Sequence, residues 1–420
     1  MSTRNISINI IWTLLVLLAM DAYVYSAMRK SIEKSKLKTF LNVAYVISTV
    51  LSYIGFYYLY FYFTMKPLQV ELAPNLAIGF FFAFMVVKIL LVLFFLFEDV
   101  FRFFELIFNS TRSLIRGDKK SISRPGRRGF IRQAGLIIAG IPFTSMLYGI
   151  TKGKYDFRVN KVKLAFDNLP DAFEGFKIVQ ISDIHSGSFD SKEAIVEGIK
   201  IVNQQGADLV LFTGDLVNND SREILPFIED FKALKAPHGV YSVLGNHDYG
   251  DYKKWNSVQD KQENMELLFQ FQKEMGFQLL NNENAMISKG DDVIGLYGVE
   301  NWGNPPFPQN GDLDKALSGG EDVGFKILLS HDPTHWDKKV ITHPVHIDLT
   351  LSGHTHGMQF GVEIPGFKWS PIKYIYPQWA GLYAKDNQHL YVNRGFGFLG
   401  FPGRVGIWPE ITLIELTRNT

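Results

Sequence analysis

Cysteine is absent from this chain of 420 residues, which excludes disulfide bonds, thiolate metal ligands and a cysteine nucleophile. Histidine is absent before His185, because all ten histidines lie between that residue and His389. An excess of charge of either sign is lacking too, and a net charge of +1 gives no electrostatic basis for binding a nucleic acid. We therefore expect any histidine chemistry in the second half of the chain, and no nucleic-acid partner.

Charged residues are scarce in the first third of the chain, where several apolar runs are long enough to cross about 30 Å of hydrocarbon as helices. Four runs are predicted as membrane spans: 6–28, 40–65, 76–97 and 134–150, the last being shorter and interrupted by Pro142. A buried core helix explains one such run, but not three in close succession. The sequence thus predicts an α-helical membrane domain over 1–154, with the lipid membrane as a partner, and a second domain over 155–420.

Basic residues indicate the orientation of the predicted membrane domain. They cluster after the first run, at Arg29, Lys30, Lys34, Lys36 and Lys38, and before the fourth, at Arg112, Arg116, Lys119, Lys120, Arg124, Arg127, Arg128 and Arg132. Loops of this kind stay in the cytoplasm. With four spans, we expect a protein of a bacterial inner or cell membrane whose second half is periplasmic or otherwise extracytoplasmic. If the fourth run does not span, that half is cytoplasmic instead.

Two details concern charges beside or inside the spans. The segment Arg127–Arg132, followed by an apolar run, resembles a twin-arginine translocation signal set inside the chain. The alternative is a basic anchor before a membrane helix, and both interpretations send the following domain outward. Asp21 and Lys88 fall within the first and third spans, where a charge is costly unless it is paired or faces the bundle interior, and a buried pair between them is one of these two options.

After residue 155 the patterns of strand and helix alternate, and polar side chains follow the predicted strands. The strands and the polar residues after them are 176–182 with Asp183 and His185, 208–212 with Gly214 and Asp215, 240–243 with Gly245, Asn246, His247 and Asp248, 325–330 with His331, and 347–351 with Gly353, His354 and His356. In open α/β sheets this edge of the sheet binds ligands. The pattern suits a metal-assisted hydrolase better than a packed core.

In order and spacing, Asp183-x-His185, Gly214-Asp215, Gly245-Asn246-His247-Asp248, His331 and Gly353-His354-Thr355-His356 resemble the five motifs of the calcineurin-like metallophosphoesterases. The resemblance covers about 159–420. It implies a four-layer α-β-β-α sandwich with two divalent metal ions at the strand ends. Carried over position by position, it gives Asp183, His185 and His356 as ligands of the first metal, Asn246, His331 and His354 as ligands of the second, and Asp215 as the bridge.

The resemblance also implies the chemistry. A metal-bridging hydroxide would attack a phosphodiester or diphosphate bond, while His247 would donate a proton to the leaving oxygen or stabilise the transition state, and Asp248 would orient His247. Ligands that offer only nitrogen and oxygen suit Mn, Fe or Zn. The expected activity is therefore that of a metal-dependent phosphoric ester hydrolase acting on a phosphate-ester substrate. The alternative is a membrane sensor or scaffold with a vestigial metallophosphoesterase domain.

Within the superfamily, the segment 169–180 and the carboxyl-terminal Asn393-Arg394-Gly395 and Pro409-Glu410-Ile411 look most like a membrane-associated branch whose members carry several spans or a twin-arginine leader. One activity in that branch is cleavage of the diphosphate bond of UDP-diacylglucosamine. Met358, where a second glycine is frequent, and the bulky segment 396–401 depart from the pattern, and they put the substrate in doubt rather than the metals. Arg394 would bind a substrate phosphate or form a structural salt bridge.

Two loop-like aromatic stretches, 301–307 and 369–383, could form an apolar rim at the membrane interface that admits a lipid chain. Ordinary loop packing is the alternative. The rim hypothesis makes a lipid-linked substrate one option for the predicted enzyme.

Overall fold

The computed structural model describes residues 3–33, 35–65, 67–69, 71–116 and 125–419. Two compact units contain these residues. The first comprises Met1–Phe61 and Leu76–Leu147, and the second comprises Tyr62–Asn75 and Tyr148–Thr420. The second unit therefore includes a short segment of the predicted membrane domain as well as the whole predicted α/β domain.

Long helices dominate the amino-terminal part of the chain. They are α1 (Thr3–Glu33), α2 (Lys38–Met65), α3 (Leu72–Arg116) and α4 (Pro125–Thr151). Among the described residues, three helical stretches are long and apolar enough to cross a membrane: Ile11–Arg29, Lys38–Met65 and Leu72–Arg112. The fourth predicted span is a shorter apolar helix, Ile137–Thr151, within α4. Residues 117–124, which contain part of the predicted basic cluster, lie outside the described residues.

The third helix is longer than its predicted span, which ended at residue 97. Beyond that point charged residues enter the sequence, but the helix continues because they pair along its surface, as Arg102 and Glu98 do at 2.7 Å. Of the two options for Asp21 and Lys88, the pair is confirmed, with Lys88 Nζ 2.8 Å from Asp21 Oδ1. Both side chains are buried, and the Tyr53 hydroxyl donates a hydrogen bond to the other carboxylate oxygen. Each charge is thus neutralised within its compact unit.

Strands make up most of the second unit. They are β1 (Arg158–Phe166), β2 (Lys177–Ile181), β3 (Leu209–Phe212), β4 (Val240–Ser242), β5 (Phe277–Leu279), β6 (Glu283–Lys289), β7 (Asp292–Gly298), β8 (Lys326–Leu329), β9 (Leu349–Ser352), β10 (Val362–Ile364), β11 (Phe367–Trp369), β12 (Gly381–Lys385), β13 (Gln388–Val392) and β14 (Glu410–Arg418). Within the described part of the chain they form two six-stranded sheets, ordered β1-β14-β2-β3-β4-β5 and β12-β13-β9-β8-β7-β6, and the hairpin β10-β11.

The helices of this unit are α5 (Lys192–Gln204), α6 (Ile228–Phe231), α7 (Val258–Glu274), α8 (Leu313–Leu317) and α9 (Thr334–Lys338). A 3-10 helix, Ser221–Phe227, leads directly into α6.

Alternation along the strands places the two sheets face to face. In β3, Leu209 and Leu211 enter the core between the sheets, whereas Val210 and Phe212 pack on the outer side against the core that includes residues of α5 and α7. In β8 of the other sheet, Leu328 faces outward, where Trp336 of α9 packs. The result is a four-layer α-β-β-α sandwich, and the predicted fold class is confirmed.

Candidate metal centre

Parallel pairing brings the predicted strand tips to common edges. Strands β2, β3 and β4 run parallel in one sheet, and β7, β8 and β9 run parallel in the other. The loops that follow β2, β3, β4, β8 and β9 carry all seven residues that the sequence predicts as metal ligands. They lie in two neighbouring groups.

The first group consists of Asp183, His185 and His356, whose ligand atoms lie within 4.8 Å of one another. His356 Nε2 is 3.2 Å from Asp183 Oδ1 and 3.0 Å from His185 Nε2. The second ring nitrogen of His185, Nδ1, is 3.1 Å from the side-chain oxygen of Asn218. This partner holds the His185 ring with Nε2 turned towards the group.

The second group consists of Asp215, His331 and His354, again with ligand atoms within 4.8 Å. The Asn246 side-chain oxygen adjoins it, 2.8 Å from His354 Nδ1. Asp215 Oδ2 is 3.2 Å from His331 Nε2 and 3.5 Å from His185 Nε2, so one carboxylate faces both groups. This is the position that the sequence analysis gave to the bridging ligand.

His331 shows that the residues fit a cation. Its Nδ1 lies 2.7 Å from the Thr213 carbonyl oxygen and donates to it, so Nε2 is the ring nitrogen that faces Asp215. Among the described residues this buried Nε2 has no hydrogen-bond partner. Burial alone would lower the pKa of His331, but Asp215 outweighs it and raises that pKa to about 10. The Asp215 carboxylate thus favours a positive charge beside His331 Nε2, and a divalent ion would supply such a charge.

The electrostatics of the neighbouring ligands agree with this. Burial would raise the pKa of Asp215, yet the positive charge of His331 holds it well below its usual value. Burial lowers the pKa of His185 well below its ordinary value, so its imidazole is neutral and its Nε2 can act as a ligand. An ionised carboxylate and a neutral imidazole are the protonation states that metal binding requires.

The turns that carry these side chains have an uncommon backbone conformation. Five predicted ligands are non-glycine residues in the left-handed region, with φ values of 52° at Asp183, 50° at His185, 61° at Asp215, 73° at His354 and 51° at His356. Residues other than glycine seldom adopt this region, and such outliers cluster at functional sites. The neighbouring Gly214 has φ 94°, and a Cβ there would lie 2.6 Å from the Gly245 nitrogen. Close approach of the two loops therefore requires glycine.

The predicted role of Asp248 needs correction. Both of its carboxylate oxygens accept backbone hydrogen bonds, from Asp215 and Gly245 at 2.9 Å and from Leu216 and Val217 at 2.8 and 3.3 Å. Burial, followed by the charge of Asp215, raises the pKa of Asp248 to about 7 despite these donors. Asp248 thus fixes the loops around the metal centre instead of orienting His247.

Asn218 takes the orienting role that the sequence analysis gave to Asp248. His247 Nδ1 lies 2.7 Å from the Asn218 carbonyl oxygen, so the other ring nitrogen, Nε2, is left for a reacting group. The same residue holds His185 through its side chain. Nothing in the local pattern around Asn218 distinguished it, although it lies three residues after the predicted bridging aspartate.

Arg394 forms the salt bridge that was one of its two predicted roles. Its guanidinium reaches Glu363 at 2.6 Å and Glu410 at 2.5 Å, and the side chain is 5% exposed. The segment 396–401 lies beside the predicted site, because the Gly397 N–H donates to the Asp183 carbonyl at 2.9 Å, and its Phe396 and Phe398 side chains are buried in the core. Arg404, which the sequence analysis missed, is fully buried, with Nη2 3.2 Å from His356 Nδ1.

Aromatic side chains surround His354. The Tyr376 hydroxyl lies 2.8 Å from His354 Nε2, and the Phe307 ring meets the His354 ring edge-on at 4.8 Å. Tyr252, missed by the sequence analysis, accepts a hydrogen bond from the Asn246 side chain at 2.9 Å. Of the predicted rim, Tyr376 and Trp379 are only 8% and 4% exposed, so these two rings pack inside the domain.

Comparison with known proteins bears on both halves of the chain. A four-transmembrane phosphoesterase family, described as "Probable Calcineurin-like phosphoesterase, transmembrane domain", matches residues 4–154, and the family "Calcineurin-like phosphoesterase" matches residues 176–358. The chain is 32% identical over 259 residues to the uncharacterized metallophosphoesterase YkuE of Bacillus subtilis, covering 59% of this chain and 81% of that protein. The chain belongs to the calcineurin-like metallophosphoesterases. Membership confirms the resemblance drawn from the motifs and assigns the chain to a family of metal-dependent phosphoester hydrolases.

Two other relatives are named as a transmembrane protein and as a phosphodiesterase. A zebrafish (Danio rerio) "Transmembrane protein with metallophosphoesterase domain" is 30% identical over 300 residues, which are 69% of this chain and 64% of the relative. The Escherichia coli "Phosphodiesterase YaeI" is 28% identical over 268 residues, covering 62% of this chain and 88% of that protein. The chain thus spans 64% of the length of its zebrafish relative. It is an integral membrane protein of this family.

Proposed function

We propose that residues 155–420 hydrolyse a phosphodiester or diphosphate bond at a two-metal centre, and that residues 1–154 anchor this domain in the membrane. The observation that carries the proposal is the pair of ligand groups that share Asp215. Asp183, His185 and His356 would hold one metal ion, and Asn246, His331 and His354 the other. The nitrogen and oxygen donors suit Mn, Fe or Zn. Two such ions would supply Lewis acidity and an activated water.

His247 is the proposed proton donor in this reaction. Hydrogen bonding to Asn218 occupies its Nδ1, and Asp215 Oδ1 accepts a hydrogen bond from its backbone N–H at 2.8 Å, so ring and backbone are both fixed. Because Nδ1 donates its proton to Asn218, Nε2 can give a proton to the leaving oxygen from the doubly protonated ring, and it can do so without a change of rotamer. Proton transfer from a positioned histidine contributes roughly 10²–10⁴-fold to rate.

We place the catalytic domain outside the cytoplasm. The segment 62–75, which comprises the end of α2, the α2–α3 connection and the start of α3, belongs to the same compact unit as the catalytic domain. This supports an even number of crossings between Asn75 and Tyr148. Helix α3 and the shorter α4 would supply these two crossings, in agreement with the four-transmembrane family match. The basic loops then lie on the opposite, cytoplasmic side.

The exposed apolar residues near the metal centre support a lipid-linked substrate. They lie on the 3-10 turn before the β10–β11 hairpin, on the hairpin and on the turn after it: Met358, Val362, Ile364, Phe367, Tyr374 and Ile375, with Tyr374 75% and Ile375 69% exposed. Met358 is two residues from the proposed ligand His356. At the base of the hairpin Gly361 donates to the Val405 carbonyl, and Arg404 beside it donates to Gly149 at the end of α4. An apolar surface next to the membrane-derived helix end suits a lipid interface.

Purified full-length protein in detergent micelles provides the test, with bis-p-nitrophenyl phosphate as substrate and Mn²⁺ added. We expect turnover by the wild type and a loss of at least about 100-fold in Asp215→Asn, since outer partners of metal ligands alone account for roughly 10–100-fold. Asp386→Asn, at an exposed turn, is the matched control. A wild type that stays inert with Mn²⁺, Fe²⁺ and Zn²⁺ would refute the enzyme proposal and favour the vestigial alternative.

The lipid-linked option has its own test. Replacing Ile364 and Phe367 with serine should slow hydrolysis of a lipid diphosphate presented in mixed micelles and leave bis-p-nitrophenyl phosphate turnover unchanged. The same replacement at Val258, exposed on α7, is the control. Equal losses on both substrates would show that the hairpin supports the fold of the site rather than the lipid.

A further inference from the structure

The segment 62–75, which comprises the end of α2, the α2–α3 connection and the start of α3, touches two of the five loops around the metal centre. Gln69 Nε2 donates to the backbone carbonyl of Glu223 at 2.6 Å. Asn75, which is buried, donates from its side-chain nitrogen to the Ser188 carbonyl at 3.2 Å and to Asp190 Oδ2 at 2.7 Å. These residues all belong to the same compact unit. The segment is thus built into the catalytic domain.

The first of the two loops begins at His185. This residue caps a 3-10 helix, Ser186–Ser188, and the Ser188 N–H donates to the His185 carbonyl at 2.8 Å. Holding the Ser188 carbonyl therefore also holds the backbone of a proposed ligand. Asp190, two residues further on, pairs with the buried Lys154 at 2.5 Å. Lys154 follows the end of α4, so segments from two places in the membrane domain meet at this one carboxylate.

The second loop runs from Asn218 to Glu223. The Glu223 carboxylate accepts hydrogen bonds from the backbone N–H of Asn218 at 2.5 Å and of Asp220 at 3.2 Å. Asn218 in turn contacts His185 through its side chain and His247 through its carbonyl. A displacement of Glu223, where Gln69 binds, would therefore be transmitted to both histidines through one residue.

We propose that Gln69 and Asn75 are positioning residues, through which the membrane helices set the orientation of His185 and His247. Partners beyond the ligands fix the tautomer and direction of a ligating imidazole, and losing one costs roughly 10–100-fold in metal affinity or activity. The membrane domain then has a second role besides anchoring, because movement of α2 and α3 changes the geometry of the centre. This inference rests on the proposed two-metal function.

Two isosteric replacements test it in the full-length protein. Asn75→Asp removes the donor to Ser188 and places a second carboxylate against Asp190, and Gln69→Glu removes the donor to Glu223. Asn387→Asp, in the exposed β12–β13 turn, and Glu71→Gln, on an exposed side chain of the same connection, are the matched controls. The readouts are kcat and KM with bis-p-nitrophenyl phosphate, Mn²⁺ affinity with the electron paramagnetic resonance spectrum of the bound ions, and Tm.

We expect kcat or Mn²⁺ affinity to fall by about tenfold in each variant, with an altered Mn²⁺ spectrum, an unchanged KM and controls like the wild type. If Asn75→Asp does not fold, Gln69→Glu decides the question alone. Wild-type kcat, affinity and spectrum in a folded Gln69→Glu would overturn the inference while leaving the two-metal enzyme intact. So would a lower Tm alone, because it signals a merely structural contact. A wild type that neither binds Mn²⁺ nor hydrolyses the substrate overturns both proposals.

Discussion

Replacing Asp248 with asparagine separates an effect on the metal centre from an effect on His247. The two carboxylate oxygens together accept four buried backbone N–H groups, two on each oxygen. An asparagine keeps one acceptor oxygen and turns an NH₂ group towards the other two donors, whichever way the amide is oriented. The substitution therefore leaves two buried N–H groups unpaired.

The expected magnitude follows from these two groups. Each unpaired buried donor costs about 1–3 kcal/mol, so the free energy of unfolding should fall by roughly 2–6 kcal/mol. For a domain of this size that corresponds to a Tm lower by on the order of 10 °C. Because the loops of Asp215 and Gly245 lose their common acceptor, Mn²⁺ affinity should fall as well.

The assay is thermal unfolding and Mn²⁺ titration of the detergent-solubilised protein at pH 8, above the pKa of Asp248, with Asp386→Asn as control. We expect Asp248→Asn to lose stability and metal together. An unchanged Tm and unchanged Mn²⁺ affinity combined with a lower kcat would refute this reasoning and restore Asp248 to the role predicted from the sequence, that of orienting His247.

Two further predictions concern neighbouring residues. Asn246→Ala should lose Mn²⁺ affinity, whereas His247→Ala should keep it and lose kcat by roughly 10²–10⁴-fold, which Mn²⁺ titration and kinetics distinguish. A loss of metal in His247→Ala would contradict the assignment. Burial lowers the pKa of His335 to about 3, so the unfolded chain binds a proton below about pH 6.5 that the folded protein rejects. The contribution of His335 to the free energy of unfolding is therefore fully present above that pH and is lower by about 2 kcal/mol at pH 5. His335→Gln should reduce the fall in Tm between pH 7 and pH 5. A fall in Tm identical to that of the wild type would contradict this role of His335.

Short sequence patterns are sufficient to predict the carboxyl ends of the strands and the polar residues that follow them. Apolar runs such as 208–212 end at polar residues, and both the strand and its tip are visible within a few residues of sequence. The partners of those polar residues were not visible. Adjacency in the sequence predicts that Asp248 orients His247. Its carboxylate oxygens instead accept hydrogen bonds from the backbone of residues 215–217, which lie beside it because β3 and β4 are paired. Sequence spacing carries no information about such pairing partners.

The same limit explains why the membrane and catalytic parts looked separable. Composition changes sharply near residue 155, and this change predicted a boundary there. Gln69 and Asn75 reach loops more than a hundred residues away, at separations of 154 and 113 positions, and no local pattern marks them. A boundary based on composition therefore assigns residues 62–75 to the membrane domain, whereas Gln69 and Asn75 within this segment contact loops of the α/β domain.

The strained backbone of the proposed ligands explains why the surrounding hydrogen bonds matter. Five proposed ligands hold left-handed conformations, and strained residues of this kind cost on the order of 1–3 kcal/mol each unless the surroundings impose them. Several kcal/mol of local strain would relax if the loops were free, because the total stability of a domain is only about 5–15 kcal/mol. Asp248 holds the turn of Asp215, Asp183 is held by the N–H of His354, and Asn75 holds the loop that follows His185. Contacts within the protein thus hold these backbone conformations, and Asn75, at the start of α3, supplies one of them.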